Sequence, residues 1–118
     1  MPLGPVARIL AFGFLAAAAG LPAAAEDVPE GLTVRYACAD GATLAVAYIN
    51  PPGGADSFAV LLHDGALVPM KAGPTGSGVR YLSLDGSALV WHTKGDVGFL
   101  AHDDAGETLI AGDCTATG

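Results

Sequence analysis

Two short polar stretches carry most of the chemistry that this sequence offers. The first is Ser77-Gly78-Val79-Arg80-Tyr81 and the second is Trp91-His92-Thr93-Lys94-Gly95. Each places a hydroxyl group and a cation beside a glycine, which permits a protruding turn that other residues resist. Beyond the first 25 residues the chain has four cations, and two of them, Arg80 and Lys94, lie in these stretches. The pattern favours two loops that present a donor and a positive charge to a partner.

Catalysis would require groups that this sequence does not bring together. The chain has three histidines, His63, His92 and His102. None of them forms the closely spaced pair that is typical of a metal site. Ser77 lacks the elbow motif of a nucleophilic serine, and the adjacent Asp103 and Asp104 would face opposite sides of a strand. We therefore predict a protein that is not an enzyme and holds no metal or cofactor. A small hydrolase built on His102 and Asp103 is the alternative.

The first quarter of the chain has the pattern of a secretory signal peptide. Arg8 precedes an apolar run over residues 9–19, and three alanines then lead to Glu26. The run is shorter than the roughly 20 residues that span a bilayer. We expect cleavage after Ala25. Since no cysteine lies near that bond, we expect a soluble, unlipidated, periplasmic protein. The predicted organisation is a signal peptide over 1–25, a flexible leader over 26–31 and a single domain over 32–118.

The charge of the chain is strongly acidic. Twelve carboxylates oppose five Lys and Arg residues, for a net charge of −7. Removal of Arg8 with the signal peptide leaves 12 carboxylates and four cations, a net charge of −8. Such a surface repels nucleic acid and anionic membranes and attracts basic partners. We expect no nucleic-acid binding, no membrane anchor and a basic protein partner.

The two cysteines, Cys38 and Cys114, lie near the two ends of the predicted domain. In an exported protein such a pair favours one disulfide over two free thiols or an intermolecular bridge. Closure of a loop of this length would stabilise the fold by roughly 4 kcal/mol.

From Leu32 onward the apolar residues recur with a period of two, which is typical of strands. The pattern places Phe58, Val60 and Leu62 on one face of the third strand. It does the same for Val97, Phe99 and Ala101 in the seventh. We predict eight strands, near 32–38, 43–49, 57–63, 66–70, 78–84, 87–92, 97–101 and 107–114.

Turn residues separate these strands at intervals of about ten residues. Asp64-Gly65 and Asp85-Gly86 are the clearest candidates for hairpins in which both turn residues take positive φ. Pro69 predicts that the fourth strand is an edge or an irregular piece. Short strands with tight turns indicate an all-β fold, and a bridge between the first and last strands favours a small closed antiparallel barrel over a sandwich.

Several motifs of this sequence, taken in their order along the chain, resemble those of the bacterial inhibitors of C-type lysozyme. Tyr36-Ala37-Cys38, Asp40-Gly41 and residues 44–50 are similar to the opening of that family, and Cys114 falls at its closing cysteine. Residues 77–81 match its Ser-Gly-x-x-Tyr motif, and Trp91, Lys94 and Gly95 match its second motif. The likeness covers residues 34–114. It implies a small β-barrel in the soluble periplasmic form, from a Gram-negative bacterium.

The resemblance also implies a site and a partner. Ser77 would hydrogen-bond one catalytic carboxyl group of a C-type lysozyme, and Lys94 would pair with the other. The chain would be a monomer or a weak homodimer. The alternative is an envelope module of the same fold that binds a glycan, a small molecule or another envelope protein. The lysozyme-binding residues implied are Ser77, Gly78, Arg80, Tyr81, Thr93, Lys94 and Gly95.

Overall fold

The computed structural model describes residues 30–50 and 56–117, which form a closed antiparallel barrel. Its strands are β1 (Glu30–Ala37), β2 (Thr43–Asn50), β3 (Phe58–His63), β4 (Ala66–Gly73), β5 (Val79–Ser83), β6 (Leu89–Lys94), β7 (Val97–Asp103) and β8 (Glu107–Ala116). Each strand pairs with its neighbour in sequence, and β8 returns to β1. The predicted eight-stranded barrel is therefore confirmed.

Strand β1 begins earlier than the alternation predicts. Glu30 and Gly31 pair with Asn50 and Ile49 of β2, so these two residues of the predicted leader belong to the barrel. The rest of that leader and the predicted signal peptide lie outside the described residues.

The barrel interior is filled by alternate residues of the strands. Trp91, Leu61, Met70, Leu100 and Val46 are the largest of the fully buried side chains. Burial of an aliphatic side chain of this size contributes about 1.5–3 kcal/mol. This packing, which draws on β2, β3, β4, β6 and β7, holds the frame that carries the loops.

The alternation did not say which face of β3 and of β7 points inward, and the structure decides it. Ala59 and Leu61 belong to the core cluster of β3, whereas Leu62 is 42% exposed. In β7 Leu100 and Ala101 are both buried, at a register irregularity opposite β8, and Val97 is 51% exposed. Both strands carry apolar residues on both faces, so alternation alone cannot distinguish the inner face, and barrel closure decides it.

One of the two predicted tight hairpins is confirmed. Asp64 and Gly65 have φ values of 54° and 79° and join β3 to β4 as the only residues between His63 and Ala66. Asp85-Gly86 is different, because β5 ends at Ser83 and β6 begins only at Leu89. The prediction of a two-residue turn there is wrong. The Ser83 hydroxyl accepts a hydrogen bond from the Leu89 N–H at 3.0 Å, which closes the wider loop.

Pro69 does not place β4 at an edge, and that prediction is also wrong. It lies opposite Val60 of β3, and β4 pairs with β5 from Met70 onward. The Pro69 carbonyl accepts a bond from the Leu84 N–H at 2.8 Å, so its nitrogen also faces the β5 side. The β5 strand ends at Ser83, and the missing N–H of proline therefore falls where the ladder stops.

The first and last strands are joined by the predicted disulfide between Cys38 and Cys114, which are 76 residues apart. This bond fastens the shortest seam of the barrel. The β1–β8 ladder has two residue pairs, Tyr36 with Ala116 and Ala37 with Thr115. The covalent link compensates for a seam with few backbone hydrogen bonds.

Candidate functional site

The two polar motifs lie at the same end of the barrel. In an up-and-down barrel alternate connections share an end, so the β4–β5 loop (residues 74–78) and the β6–β7 turn (Gly95 and Asp96) are neighbours. An open cavity of ≈ 440 Å³ lies between them, lined in part by Gly78, Lys94 and Gly95. The fold thus brings the two motifs to one mouth of the barrel.

Gly78 brings the first motif into contact with the second. Its φ is +70°, which favours glycine. A Cβ atom at this position would lie 2.5 Å from the Thr93 carbonyl oxygen and 3.1 Å from the Lys94 Cβ. Real side chains do not approach so closely, so no other residue fits without a shift of the backbone. The loop backbone therefore rests directly on the end of β6, with Ser77 exposed beside it.

The second motif ends in a tight turn. Lys94 pairs with Val97, which leaves Gly95 and Asp96 as the turn residues, and Gly95 has a φ of 60°. Glycine at the first turn position is typical of a type II′ hairpin. The Lys94 side chain is exposed. Of the ion pairs formed among residues 30–50 and 56–117, none includes Lys94. The ammonium group is available to a partner.

Thr93 and Trp91 support this turn from within. The Thr93 side chain is buried, and its hydroxyl donates to the Val97 carbonyl at 3.1 Å, across the turn. Trp91 is fully buried and belongs to the core of the barrel. Its indole N–H donates to the Tyr48 hydroxyl at 2.9 Å.

A network of aromatic side chains forms the floor of the mouth. The Tyr36 and Tyr48 hydroxyl oxygens are 2.7 Å apart, and the Tyr36 ring meets Trp91 edge to face at 4.9 Å between centroids. Burial raises the pKa of Tyr48 well above its ordinary value, and the hydrogen bond with Tyr36 raises it further. The Tyr48 phenol therefore stays protonated at physiological pH, and the network provides rigidity without charge.

Tyr81 and Arg80 are less exposed than the serine, the lysine and the glycines of the two motifs. Tyr81 is buried in the core, and its ring lies 5.7 Å from that of Tyr48. The Arg80 guanidinium pairs with Glu107, and it lies 3.6 Å from Asp103. Both carboxylates flank the β7–β8 connection, at the opposite end of the barrel. The structure brings Ser77, Gly78, Lys94 and Gly95 together and directs Arg80 elsewhere.

Two residues of this region, Tyr48 and Gly98, were not assigned to the site by the sequence analysis. Tyr48 and Trp91 are 43 residues apart in sequence, so no local sequence pattern could predict their contact. Gly98 did give a signal, since glycine within a strand often marks a close approach. A Cβ on Gly98 would lie 2.6 Å from the Trp91 ring, so glycine makes room for the indole.

Among the residues that the structure describes, no group of three or more His, Cys, Asp or Glu side chains could hold a metal ion. No helix in this part of the chain is long and apolar enough to cross a membrane.

Together, the fold and the site define a class: a small disulfide-bonded antiparallel barrel that projects two adjacent loops from one mouth. The sequence profile of MliC, the membrane-bound lysozyme-inhibitor of c-type lysozyme, matches residues 36–109, more than half of the chain. The chain belongs to this family. Its members are lysozyme inhibitors rather than enzymes, and periplasmic and membrane-bound relatives indicate a location in the cell envelope. No curated protein matches the chain.

Two solved structures share the fold. The periplasmic lysozyme inhibitor of C-type lysozyme from Salmonella typhimurium, PliC-St, is 24% identical with a TM-score of 0.64. The match covers 75% of this chain and 100% of that one. Pseudomonas aeruginosa MliC, crystallised in complex with hen egg white lysozyme, is 22% identical with a TM-score of 0.59. That match covers 98% of this chain and 100% of the MliC chain.

Proposed function

We propose that this protein inhibits C-type lysozyme by inserting the Ser77–Gly78 loop and the Lys94–Gly95 turn into the active-site cleft of the enzyme. Membership of the inhibitor family supports this, as does the complex of Pseudomonas aeruginosa MliC with hen egg white lysozyme. The observation that carries the proposal is the seating of Gly78 on Thr93 and Lys94. It turns two separate motifs into one protrusion.

The chemistry of the target suits this protrusion. A glycosidase uses two carboxyl groups that flank the scissile bond, about 5–10 Å apart. The Lys94 ammonium would pair with one of them, and the Ser77 hydroxyl would hydrogen-bond the other. Hydrogen bonds with a charged partner are stronger than neutral ones, and they strengthen further in a cleft from which water is excluded. The inhibitor thereby occupies the groups that the enzyme needs for catalysis.

The implied binding residues divide into two groups by exposure. Ser77, Gly78, Lys94 and Gly95 are exposed and would contact the enzyme. Thr93 and Tyr81 are buried, and Arg80 is half-buried and paired with carboxylates, so these three would act through the loops that they support.

We further propose that the mature protein acts in the periplasm without a lipid anchor. The apolar run over residues 9–19 and the alanines before Glu26 support export, and no cysteine lies near the expected cleavage bond.

The direct test is a cell-wall turbidity assay of a C-type lysozyme, titrated with the oxidised mature protein. We expect lysis to stop as inhibitor and enzyme approach equal concentrations. Undiminished lysis at a large excess of protein that circular dichroism shows to be folded would contradict the proposal.

A pair of glycine variants tests the shared protrusion. Gly78→Ala introduces a Cβ that collides with the Thr93 carbonyl, so the loop must leave β6, and we expect inhibition to weaken tenfold or more. Gly86→Ala is the matched control, because its φ is also positive, nothing lies within 4 Å of its Cβ position, and it lies at the opposite end of the barrel. Equal inhibition constants for the two variants would show that seating of the loop on β6 does not matter.

The mouth cavity keeps one alternative open, a module that binds a small molecule or glycan. Its volume of ≈ 440 Å³ lies within the range of ligand pockets, and tyrosine side chains line it. Retention of the protein on a peptidoglycan matrix without lysozyme would favour this alternative. Passage through the matrix would leave the inhibitor proposal in place.

A further inference from the structure

His92 lies between the two motifs and makes contacts that no feature of the sequence predicted. On β6 it is opposite Arg80 of β5 and Phe99 of β7. Its Nε2 is 3.1 Å from the Ser77 carbonyl oxygen, and its ring stacks on Phe99 with centroids 5.3 Å apart and planes inclined by 34°. The imidazole is held on one side by an aromatic ring and on the other by the loop backbone.

The Ser77 carbonyl has few other ways to be held in place. The β5–β6 ladder begins at Val79, which pairs with Thr93, so Ser77 lies two residues beyond the last strand pairing. Within the loop the Thr75 hydroxyl donates to the same carbonyl at 3.3 Å, but both groups belong to the loop and would move with it. The contact with His92 instead connects the loop to a strand of the barrel.

The direction of this hydrogen bond follows from its chemistry. A carbonyl oxygen only accepts, so the bond requires a proton on Nε2. The Nε2–H tautomer of the neutral ring supplies that proton, and so does the imidazolium. The same nitrogen lies 3.3 Å from the position that a Cβ on Gly78 would occupy. The histidine therefore hydrogen-bonds Ser77 and lies close beside Gly78.

We propose that His92 is a positioning residue that fastens the Ser77 loop to the strand that carries Lys94. Through this bond it sets the separation between the Ser77 hydroxyl and the Lys94 ammonium. The inference rests on the proposed lysozyme inhibition, because that separation matters only if both groups meet the same enzyme. The attachment of the loop can nevertheless be measured without the enzyme.

Three variants of the mature protein separate the hydrogen bond from the packing. His92→Phe keeps a ring against Phe99 and removes the donor, whereas His92→Gln keeps an N–H that reaches the carbonyl. His102→Phe is the matched control, because His102 lies near the opposite end of the barrel and contacts Asp104. We expect His92→Phe to weaken inhibition about three- to tenfold, as for loss of one hydrogen bond. His92→Gln and His102→Phe should stay within twofold of the unchanged protein.

A double-mutant cycle with Ser77→Ala shows whether His92 acts through Ser77. If it does, His92→Phe should cost little in the Ser77→Ala background, since no hydroxyl remains to be positioned. An equal loss in both backgrounds would overturn the proposal, and so would inhibition by His92→Phe within twofold of the unchanged protein.

Hydrogen exchange of residues 74–78 in the absence of lysozyme provides the independent measurement. We expect faster exchange in this loop for His92→Phe and unchanged exchange for His92→Gln and His102→Phe. Unchanged exchange in His92→Phe would overturn the attachment itself. If the unchanged protein fails to inhibit lysozyme, the proposed function fails, and the exchange comparison alone decides whether His92 holds the loop.

Discussion

At the scale of single residues, exposure and pairing distinguish the two cations of the motifs. Lys94 is exposed and forms no ion pair within the described part of the chain, while the Arg80 guanidinium is committed to Glu107 and Asp103. Both cations lie in polar stretches of the sequence, which by itself does not distinguish between them. Only one of them is placed to meet a partner, because the side chain of Arg80 leads away from the mouth.

Replacement of Lys94 by alanine should therefore weaken binding without destabilising the fold. Loss of one partner of a desolvated ion pair costs about 2–5 kcal/mol, which corresponds to at least a 30-fold weaker inhibitor. Ser77→Ala removes only a hydrogen bond, and we expect about a tenfold loss. Inhibition constants from the turbidity assay provide the measurement.

Lys71→Ala is the control for that prediction. Lys71 is also exposed, and it lies on β4 rather than on β6, the strand of Lys94. Its ammonium group forms only a loose ion pair with Asp56, at 3.9 Å. Its loss should change inhibition by less than twofold. Equal effects of Lys71→Ala and Lys94→Ala would indicate a general effect of charge rather than a specific contact.

Gly98 provides a prediction about stability at the same scale. Gly98→Ala places a methyl group 2.6 Å from the Trp91 ring, and we expect a loss of about 1–3 kcal/mol in the free energy of unfolding. Gly76→Ala, with nothing within 4 Å of its Cβ position, should change stability by less than about 0.5 kcal/mol. Urea denaturation compares the two, and equal midpoints would contradict the close packing of Trp91.

At the scale of strands, local patterns predicted the number and the positions of the elements. Alternation and Asp-Gly turns depend on neighbours in sequence, so they gave eight strands and the hairpin at Asp64-Gly65 correctly. They did not give the inner face of β3, because the run from Phe58 to Leu62 is apolar throughout. They also misplaced β4, since the effect of Pro69 depends on where β5 ends.

The seam between β1 and β8 is where the barrel should open first. Its ladder has two residue pairs, and the Cys38–Cys114 bond holds it. The double variant C38A/C114A should lower the free energy of unfolding by about 4 kcal/mol, as expected from chain entropy for a closed loop of this length. Urea denaturation measures this loss, and a loss below about 1 kcal/mol would be inconsistent with a role in closure.

Hydrogen exchange locates the same effect within the fold. In C38A/C114A the amides of β8 should exchange faster than those of the β3–β4 hairpin, which is far from the seam and joined by a two-residue turn. A uniform increase over all strands would show that the disulfide stabilises the barrel as a whole rather than its seam.

At the scale of the whole molecule, charge is divided between the two ends of the barrel. The four connections opposite the mouth, together with the strand residues that flank them, carry half of the 12 carboxylates of the sequence. These residues are Asp40, Asp64, Asp85, Asp103, Asp104 and Glu107. The net negative charge favours encounter with a basic enzyme, but these carboxylates lie at the end opposite the proposed binding loops.

Association with lysozyme should consequently depend on where a carboxylate lies. A strand of six to eight residues spans roughly 20 Å or more, about two Debye lengths at 0.1 M salt. Asp64→Asn, at the far end, should slow association by less than about 1.3-fold. Glu30→Gln, at the loop end, should slow it by roughly 1.5- to 3-fold. Stopped-flow rates at low and high salt test this, and equal effects would show that only the net charge matters.

The sequence by itself determined the class of the fold, the strand positions and the two motifs, because alternation, turn chemistry and the cysteine pair are local or compositional features. The tertiary structure decided which faces point inward and that Gly78 rests on Thr93 beside Lys94. It also turned Arg80 toward Glu107 and brought His92 to the Ser77 carbonyl. Those outcomes depend on register and closure, which arise from pairings between distant strands and leave no pattern in neighbouring residues.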